Sequence, residues 1–223
     1  MRILSCCASG IMFLLSALTF SQEPITVRIG EQEWMTKNLN VSRFRNGDLI
    51  PEVSDYEEWR KAGENKTPAW CYYENATDSG KVLGKIYNWH AVNDPRGLAP
   101  DGFHVPRLSE WDTLFRFMGF NFFGEPTDEH YEWKQNTQSY NEEAFNNFNF
   151  CLAGGRFQEA AVDIFYYLNA MAWFWTANDY PDYDEACCYE ACCLYYLPNY
   201  GIKVTTYYEE FGFSVRCIKD KSF

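Results

Sequence analysis

Aromatic side chains are the feature that most limits what this chain can fold into. The 223 residues include 8 Trp, 16 Tyr and 18 Phe, and 47% of the chain is hydrophobic. So much apolar surface can be removed from water only by packing it in a core, and this excludes a disordered chain. After residue 145 the aromatic residues form short runs separated by Gly, Asn, Asp and Pro, a pattern typical of short strands and turns. No linker divides residues 25–220, so we expect one domain over residues 22–223.

Helical patterns lie in the first half of the chain. Ser109 can cap a run that ends at Gly119, and four apolar residues of this run fall on one helical face: Trp111, Leu114, Phe115 and Met118. A shorter helix is expected after Ser54. The last two predicted strands are Ile202–Thr205 and Phe213–Ile218. Early helices and late strands predict an α+β fold with an antiparallel sheet.

The N-terminus predicts export. Met1 and Arg2 precede an uncharged run from Ile3 to Phe20, and Ser21 offers a small-residue cleavage site, so residues 1–21 fit a signal peptide. A membrane anchor is the alternative, because ~18 apolar residues approach the length that spans a bilayer. No other segment is long enough to span. We therefore expect a secreted or cell-surface protein without a membrane span after signal removal.

The negative net charge of the chain limits which ligands and partners it can bind. Lys and Arg total 19 against 31 Asp and Glu, a net charge of -12, so a basic face for nucleic acid is excluded. The acidic segment 178–185 holds Asp179, Asp182 and Asp184, whose carboxylates make calcium a candidate cofactor. A solvated acidic loop is the alternative.

Some aromatic residues are candidate ligand contacts. Flat aromatic faces can bury the C–H surface of a sugar while Tyr hydroxyls and Trp N–H groups keep polar partners. Alternation along strands places half of each aromatic run toward the core. The ligand-binding candidates are Tyr180, Tyr183, Trp173 and Trp175.

The cysteines fit an oxidising compartment. Seven remain after residue 21, an odd number that leaves at least one thiol unpaired or bonded to another chain. Cys151 and Cys217 are disulfide candidates. The group Cys187, Cys188, Cys192 and Cys193 is either a soft-metal or redox site, or a set of structural disulfides and thiols.

Six segments resemble one known family. They are Glu33–Asn40, Gly84–Trp89, Pro100–Pro106 with Glu110-Trp111, Ala153–Arg156, Trp173–Ala177 and Gly212–Asp220. The last reads G-F-S-V-R-C-I-K-D. In order and spacing they resemble the Fibrobacter succinogenes major paralogous domain, found in exported bacterial proteins, notably of the Bacteroidetes. The family's recurring histidine corresponds to His104, which we expect to be structural.

The resemblance also implies a fold. The family is grouped with C-type-lectin-like domains and with the formylglycine-generating sulfatase-modifying enzymes. It implies two main helices packed on small twisted antiparallel sheets, with long loops that carry function. Ala99 stands where the family often has Cys, and the four cysteines after residue 180 are unusual for it.

Three functions follow as hypotheses. The first is an exported, non-enzymatic binding module at the cell surface, outer-membrane exterior or periplasm, with a glycan or protein ligand. The second is a thiol- or copper-dependent oxidase like the formylglycine-generating group. The third is a structural adhesion domain. No nucleophile elbow, phosphate loop or H-E-x-x-H motif is present, so enzymatic activity is left open and the binding module is favoured.

Overall fold

The computed structural model describes residues 24–123, 131–136, 138–159, 162–177 and 190–221. The α-helices of that part are α1 (Tyr56–Glu64), α2 (Thr77–Leu83), α3 (Trp89–Val92), α4 (Leu108–Phe117) and α5 (Glu142–Phe148). Its strands are β1 (Thr26–Ile29), β2 (Gln32–Met35), β3 (Trp70–Cys71), β4 (Ile86–Tyr87), β5 (Phe103–His104), β6 (Phe120–Phe123), β7 (Tyr131–Gln135), β8 (Ala153–Glu159), β9 (Val162–Leu168), β10 (Ala172–Trp175), β11 (Glu190–Leu197), β12 (Gly201–Tyr208) and β13 (Ile218–Lys219).

The fold is mixed, with few helices and much sheet. Seven strands form the largest sheet, in the order β6-β7-β12-β11-β10-β8-β9. Its pairs are antiparallel except β10 with β8, which run parallel at Ala172 and Gly154. The α+β prediction is therefore compatible with the structure. The prediction of small antiparallel sheets is wrong for this sheet, because it is wide and contains a parallel pair.

A second sheet joins the two ends of the described chain. Its order is β1-β2-β13-β5, so the late strand β13 lies between two early ones. Ile218 pairs with Trp34 on one side and with His104 on the other. The predicted strand Phe213–Ile218 is shorter in the structure, since Phe213 and Ser214 make only isolated bridges. The predicted strand Ile202–Thr205 lies within β12.

Two hydrophobic clusters cover opposite faces of the large sheet. Strand β10 alternates between them: Trp173 and Trp175 pack in one cluster, whereas Ala172 and Phe174 pack in the other. A strand buried on both faces needs apolar residues at every position. The run Ala172–Trp175 meets that need, since all four residues are buried.

The predicted apolar face of helix α4 is confirmed. Trp111, Leu114, Phe115 and Met118 are all fully buried, and Gly119 follows the helix with a φ of +84°. The predicted caps differ by one or two residues. Arg107, not Ser109, precedes the first turn, and Asp55, not Ser54, caps α1 by accepting from the Glu58 amide at 3.0 Å. Among the described residues, no helix is both long and apolar enough to cross a bilayer.

Candidate functional site

The motif residues near the C-terminus build the core rather than a cleft. Arg216 is fully buried, and its guanidinium donates to Asn38 Oδ1 at 2.8 Å and to the carbonyls of Met35 and Phe148 at 3.1 and 2.8 Å. Burial lowers the pKa of Arg216 to about 10. Asn38 also donates to Ser214 Oγ at 3.1 Å. The first and last family segments thus hold each other through a buried polar network.

His104 is held between two carboxylates. Its Nδ1 lies 2.6 Å from Asp220 Oδ1, and its Nε2 lies 2.9 Å from Glu110 Oε1. The hydrogen bond with Glu110, partly opposed by burial and then aided by Asp220, raises the pKa of His104. The same Glu110 accepts from the Arg107 amide at 2.9 Å and so also caps α4. Both ring nitrogens have partners, as expected for a structural histidine.

Trp173 and Trp175 do not form a ligand platform. Their exposed fractions are 3% and 0%, and Trp175 donates its indole N–H to the Tyr87 carbonyl at 2.8 Å. The ring of Trp173 stacks on Phe213 at 5.1 Å between centroids. Placing these two side chains at a binding surface was wrong, because β10 has a packed cluster on each face and neither ring faces solvent.

The expected disulfide is also absent from the structure. Among the described residues, Cys151 and Cys217 form no disulfide. Burial raises the pKa of Cys151, and it raises that of Cys217 to about 12, although the Arg216 charge acts in the other direction on both. Buried thiols that stay protonated are poor nucleophiles. The candidate pairing of Cys151 with Cys217 is therefore not formed: Cys151 is a half-buried thiol and Cys217 is a thiol of the core.

Several predicted site residues lie outside the described part of the chain. They are Tyr180, Tyr183, Asp179, Asp182, Asp184, Cys187 and Cys188, and the predicted signal peptide 1–21 lies outside it too. Cys192 belongs to β11, but its side chain is not described. Within the described ranges, no group of three or more His, Cys, Asp or Glu side chains is arranged to hold a metal ion.

An aromatic groove is the candidate site. It has a volume of about 380 Å³ and opens between β6, β7, α5 and the turn that joins β11 to β12. We call it the tyrosine groove, and its lining residues are Phe120, Lys134, Gln135, Tyr140, Phe145, Tyr196, Asn199, Tyr200 and Gly201. Tyr200 at its rim is 71% exposed, the largest exposed fraction of any described tyrosine. Sequence reasoning noted Tyr196 in an aromatic run but missed Tyr140 and Tyr200.

Packing holds the floor of the tyrosine groove in place. The Phe145 ring lies 5.7 Å from the Tyr140 ring and 5.5 Å from the Tyr196 ring, measured between centroids. Phe145 lies on helix α5, and the N-cap of this helix is Asn141, whose side chain accepts from the Ala144 amide at 3.0 Å. Aromatic rings packed in tilted and edge-on pairs lose little further entropy when a ligand binds.

The turn that carries the rim is fixed by backbone geometry. Asn199 has a φ of +70° and Gly201 a φ of +105°, and the Tyr200 amide donates to the Leu197 carbonyl at 3.0 Å. A Cβ on Gly201 would lie 2.4 Å from the Trp133 carbonyl oxygen, so the turn sits directly against β7. This close approach presents Tyr200 and Asn199 beside Gln135.

Apart from Lys134, the polar side chains that line the tyrosine groove have no side-chain hydrogen-bond partner within the described ranges. In the described part of the chain, the hydroxyls of Tyr140, Tyr196 and Tyr200 and the amides of Gln135 and Asn199 make no side-chain hydrogen bond. Burial raises the pKa of Tyr196, and burial with the Glu142 charge raises that of Tyr140. The Tyr140 and Tyr196 hydroxyls therefore stay protonated and can both donate and accept. Lys134 is paired with Glu132 at 2.6 Å.

Two other clefts are mainly charged. One, of about 440 Å³, lies beside His90 and Glu209, whose Nδ1 and Oε2 are 3.8 Å apart. The other, of about 550 Å³, lies beside Glu110 and Asp220, whose carboxylates are hydrogen-bonded to His104. The groups that line these clefts largely satisfy one another. The tyrosine groove differs in combining aromatic faces with uncommitted polar groups.

Fold and groove together define a sheet-rich α/β domain with an open aromatic cleft away from its motif-built core. The Fibrobacter succinogenes major domain matches residues 27–219, and the chain belongs to that family. No curated protein and no solved structure matches the chain.

Proposed function

We propose that this protein is an exported binding module whose tyrosine groove takes carbohydrate without catalysing a reaction. The observation that carries the proposal is the pairing of aromatic faces with hydroxyl and amide groups that have no hydrogen-bond partner among the described residues. A sugar has one face rich in C–H groups and a rim of hydroxyls, so it matches both kinds of surface at once.

The chemistry of the groove favours a neutral sugar. Its one lining cation, Lys134, is already paired with Glu132, and the chain has a net charge of -12. An anionic sugar would meet no uncommitted cation in the lining and would be repelled by the acidic protein. Amides and phenols instead offer donors and acceptors that suit neutral hydroxyls.

Export and lectin-like ancestry belong to the same proposal. The uncharged N-terminal run supports a signal peptide, and a place outside the cytoplasm would bring the groove to extracellular glycans. The family's grouping with C-type-lectin-like domains supports the fold relationship. Calcium held by Asp179, Asp182 and Asp184 would be an additional contact outside the described residues.

The oxidase alternative finds no support at Cys151 and Cys217. It needs a reactive thiolate, whereas the pKa values of Cys151 and Cys217 are raised and Cys217 is completely buried.

Glycan-array binding followed by calorimetry tests the proposal. The mature protein should bind one or more neutral oligosaccharides, and Tyr200→Ala should weaken that binding by about tenfold, since one stacked aromatic ring contributes about 1–1.5 kcal/mol. Tyr208→Ala is the matched control: Tyr208 is 50% exposed but lies on the His90 cleft.

Three results would count against the tyrosine groove. One is no binding to any glycan with and without calcium. Another is equal loss of affinity in Tyr200→Ala and Tyr208→Ala. The third is binding that requires calcium and ignores Tyr200, which would move the site to the acidic segment.

A further inference from the structure

Lys85 is a buried amine without a carboxylate partner. Its side chain is 3% exposed, and its Nζ lies 3.7 Å from the centroid of the Trp70 ring and 2.5 Å from Ser42 Oγ. Within the described residues it makes no ion pair. The contacts with the Trp70 ring and with Ser42 Oγ favour the charged amine, and burial without an ion pair acts against it.

The surroundings of Lys85 leave it able to accept a proton. Burial lowers its pKa to about 8, with a smaller opposing effect from the exposed Glu52 carboxylate. Tyr72, whose ring centroid lies 5.7 Å from Nζ, is the other titratable group facing it. With a pKa of about 8, a minor fraction of the Lys85 amine is neutral at pH 7 and most of it is neutral above pH 8, and the neutral amine is the form that can act as a base.

Ser42 supplies the hydroxyl beside this amine. The residue is half-buried, and its carbonyl accepts from the Ile50 amide at 2.9 Å, which fixes its backbone at the neck of the loop between residues 42 and 50. In the described part of the chain, the amides of Ser42 and Arg43 donate to no protein acceptor. They are uncommitted donors beside the hydroxyl.

We propose that Ser42 and Lys85 form a nucleophilic serine–lysine pair that reacts with small activated esters and related acyl donors. A hydroxyl within hydrogen-bond reach of a desolvated amine is the arrangement that general-base activation of a serine requires. The pair lies in the segments around Ser42 and Gly84–Trp89, which the tyrosine groove does not use, so this site is independent of the proposed carbohydrate site.

The step balances without an outside cofactor. The Ser42 Oγ electron pair forms a bond to the carbonyl carbon while the hydroxyl proton passes to Lys85 Nζ. The bond from that carbon to the ester oxygen then breaks, and the departing alkoxide takes the proton from Lys85. The products are acyl-Ser42 and an alcohol, and water can release the acyl group by the reverse pattern.

Labelling of the folded, full-length mature protein with a fluorophosphonate probe tests the pair. Peptide mass spectrometry should find Ser42 modified about 10²-fold faster than Ser109, an exposed serine on α4 that serves as an internal reference. The ratio of Ser42 to Ser109 labelling should rise as pH passes through about 8. Lys85→Met, which keeps an unbranched chain over Trp70, should bring the ratio close to 1.

Any of three results overturns the proposal. The first is Ser42 labelling no faster than Ser109 labelling at any pH between 6 and 9.5. The second is a ratio that is independent of pH in the unmodified protein, a measurement that stands even where Lys85→Met does not fold. The third is a folded Lys85→Met protein that keeps the unmodified ratio, which would assign Lys85 to packing alone.

Discussion

Arg216 shows how a family motif residue serves the fold. Its guanidinium spans Asn38, the Met35 carbonyl and the carbonyls of Phe148 and Asn149, and it stacks over the Phe148 ring at 4.7 Å. Removing a buried donor set leaves each acceptor without water or protein to satisfy it. At the residue scale, Arg216 of the family motif therefore joins several buried hydrogen bonds and does not form part of a ligand site.

Replacing Arg216 should destabilise the protein severely. We expect Arg216→Met to lower the free energy of unfolding by about 3–5 kcal/mol, because several buried carbonyl oxygens lose their donor. Arg28→Met is the control, since its guanidinium is exposed and its contacts with Glu31 and the Gly30 carbonyl are at the surface; it should cost less than about 1 kcal/mol. Urea unfolding of both variants measures the difference, and equal losses would show that the buried hydrogen bonds of Arg216 contribute little.

His104 should make stability depend on pH. Its pKa in the folded protein is raised above the ordinary 6.5, so its contribution is complete below pH 6.5 and is lost as pH rises through the raised value. We expect the difference in unfolding free energy between the unmodified protein and His104→Gln to shrink above pH 6.5.

His90→Gln is the control for that pH series. Burial, followed by the Lys66 charge, lowers the pKa of His90, so its effect on stability falls below pH 6.5. Denaturant titrations from pH 5 to 9 give the three curves. A His104→Gln difference that stays flat across the window would mean that the two carboxylates do not hold an imidazolium.

At the scale of elements, the α4–β6 connection depends on one glycine. Gly119 has a positive φ, and a Cβ there would lie 2.2 Å from the Ser139 carbonyl oxygen. We expect Gly119→Ala to cost about 2 kcal/mol more than Gly102→Ala, which has a similar positive φ of +76° but nothing within 4 Å. Thermal unfolding compares them; equal costs would mean that strain alone, without the steric contact, sets the penalty.

The sequence predicts the apolar face of α4 but not the tyrosine groove. The α4 face was predictable because a period of 3.6 residues places Trp111, Leu114 and Phe115 together within one helix. The tyrosine groove was not, because Tyr140 and Tyr200 meet only through the pairing of β7 with β12. An aromatic at a hairpin tip, in Asn199-Tyr200-Gly201, was the one local signal. The prediction that Trp173 and Trp175 contact a ligand failed because alternation along a strand exposes residues only when one face of the sheet is solvated.

On the scale of the whole molecule, the ends of the described chain share one packing arrangement. Trp34 of β2 lies 4.8 Å from Trp111 of α4 between ring centroids, and it pairs with Ile218 of β13. Strand β10 belongs to both large clusters and so ties them together. A single domain over residues 22–223 stays a prediction that this arrangement supports.

Such coupling should make unfolding cooperative. We expect tryptophan fluorescence and far-ultraviolet circular dichroism to report one coincident urea transition, because neither cluster can open while β10 keeps the other intact. Two separated transitions would divide the chain into independently stable parts.

The most direct test of the carbohydrate proposal is a crystal structure of the mature protein with the best glycan from the array. We predict a sugar ring against Tyr200, with its hydroxyls hydrogen-bonded to Gln135, Asn199 or the Tyr140 and Tyr196 hydroxyls. Glycan density on the acidic segment 178–185 or in the His90 cleft, with the tyrosine groove empty, would contradict the account.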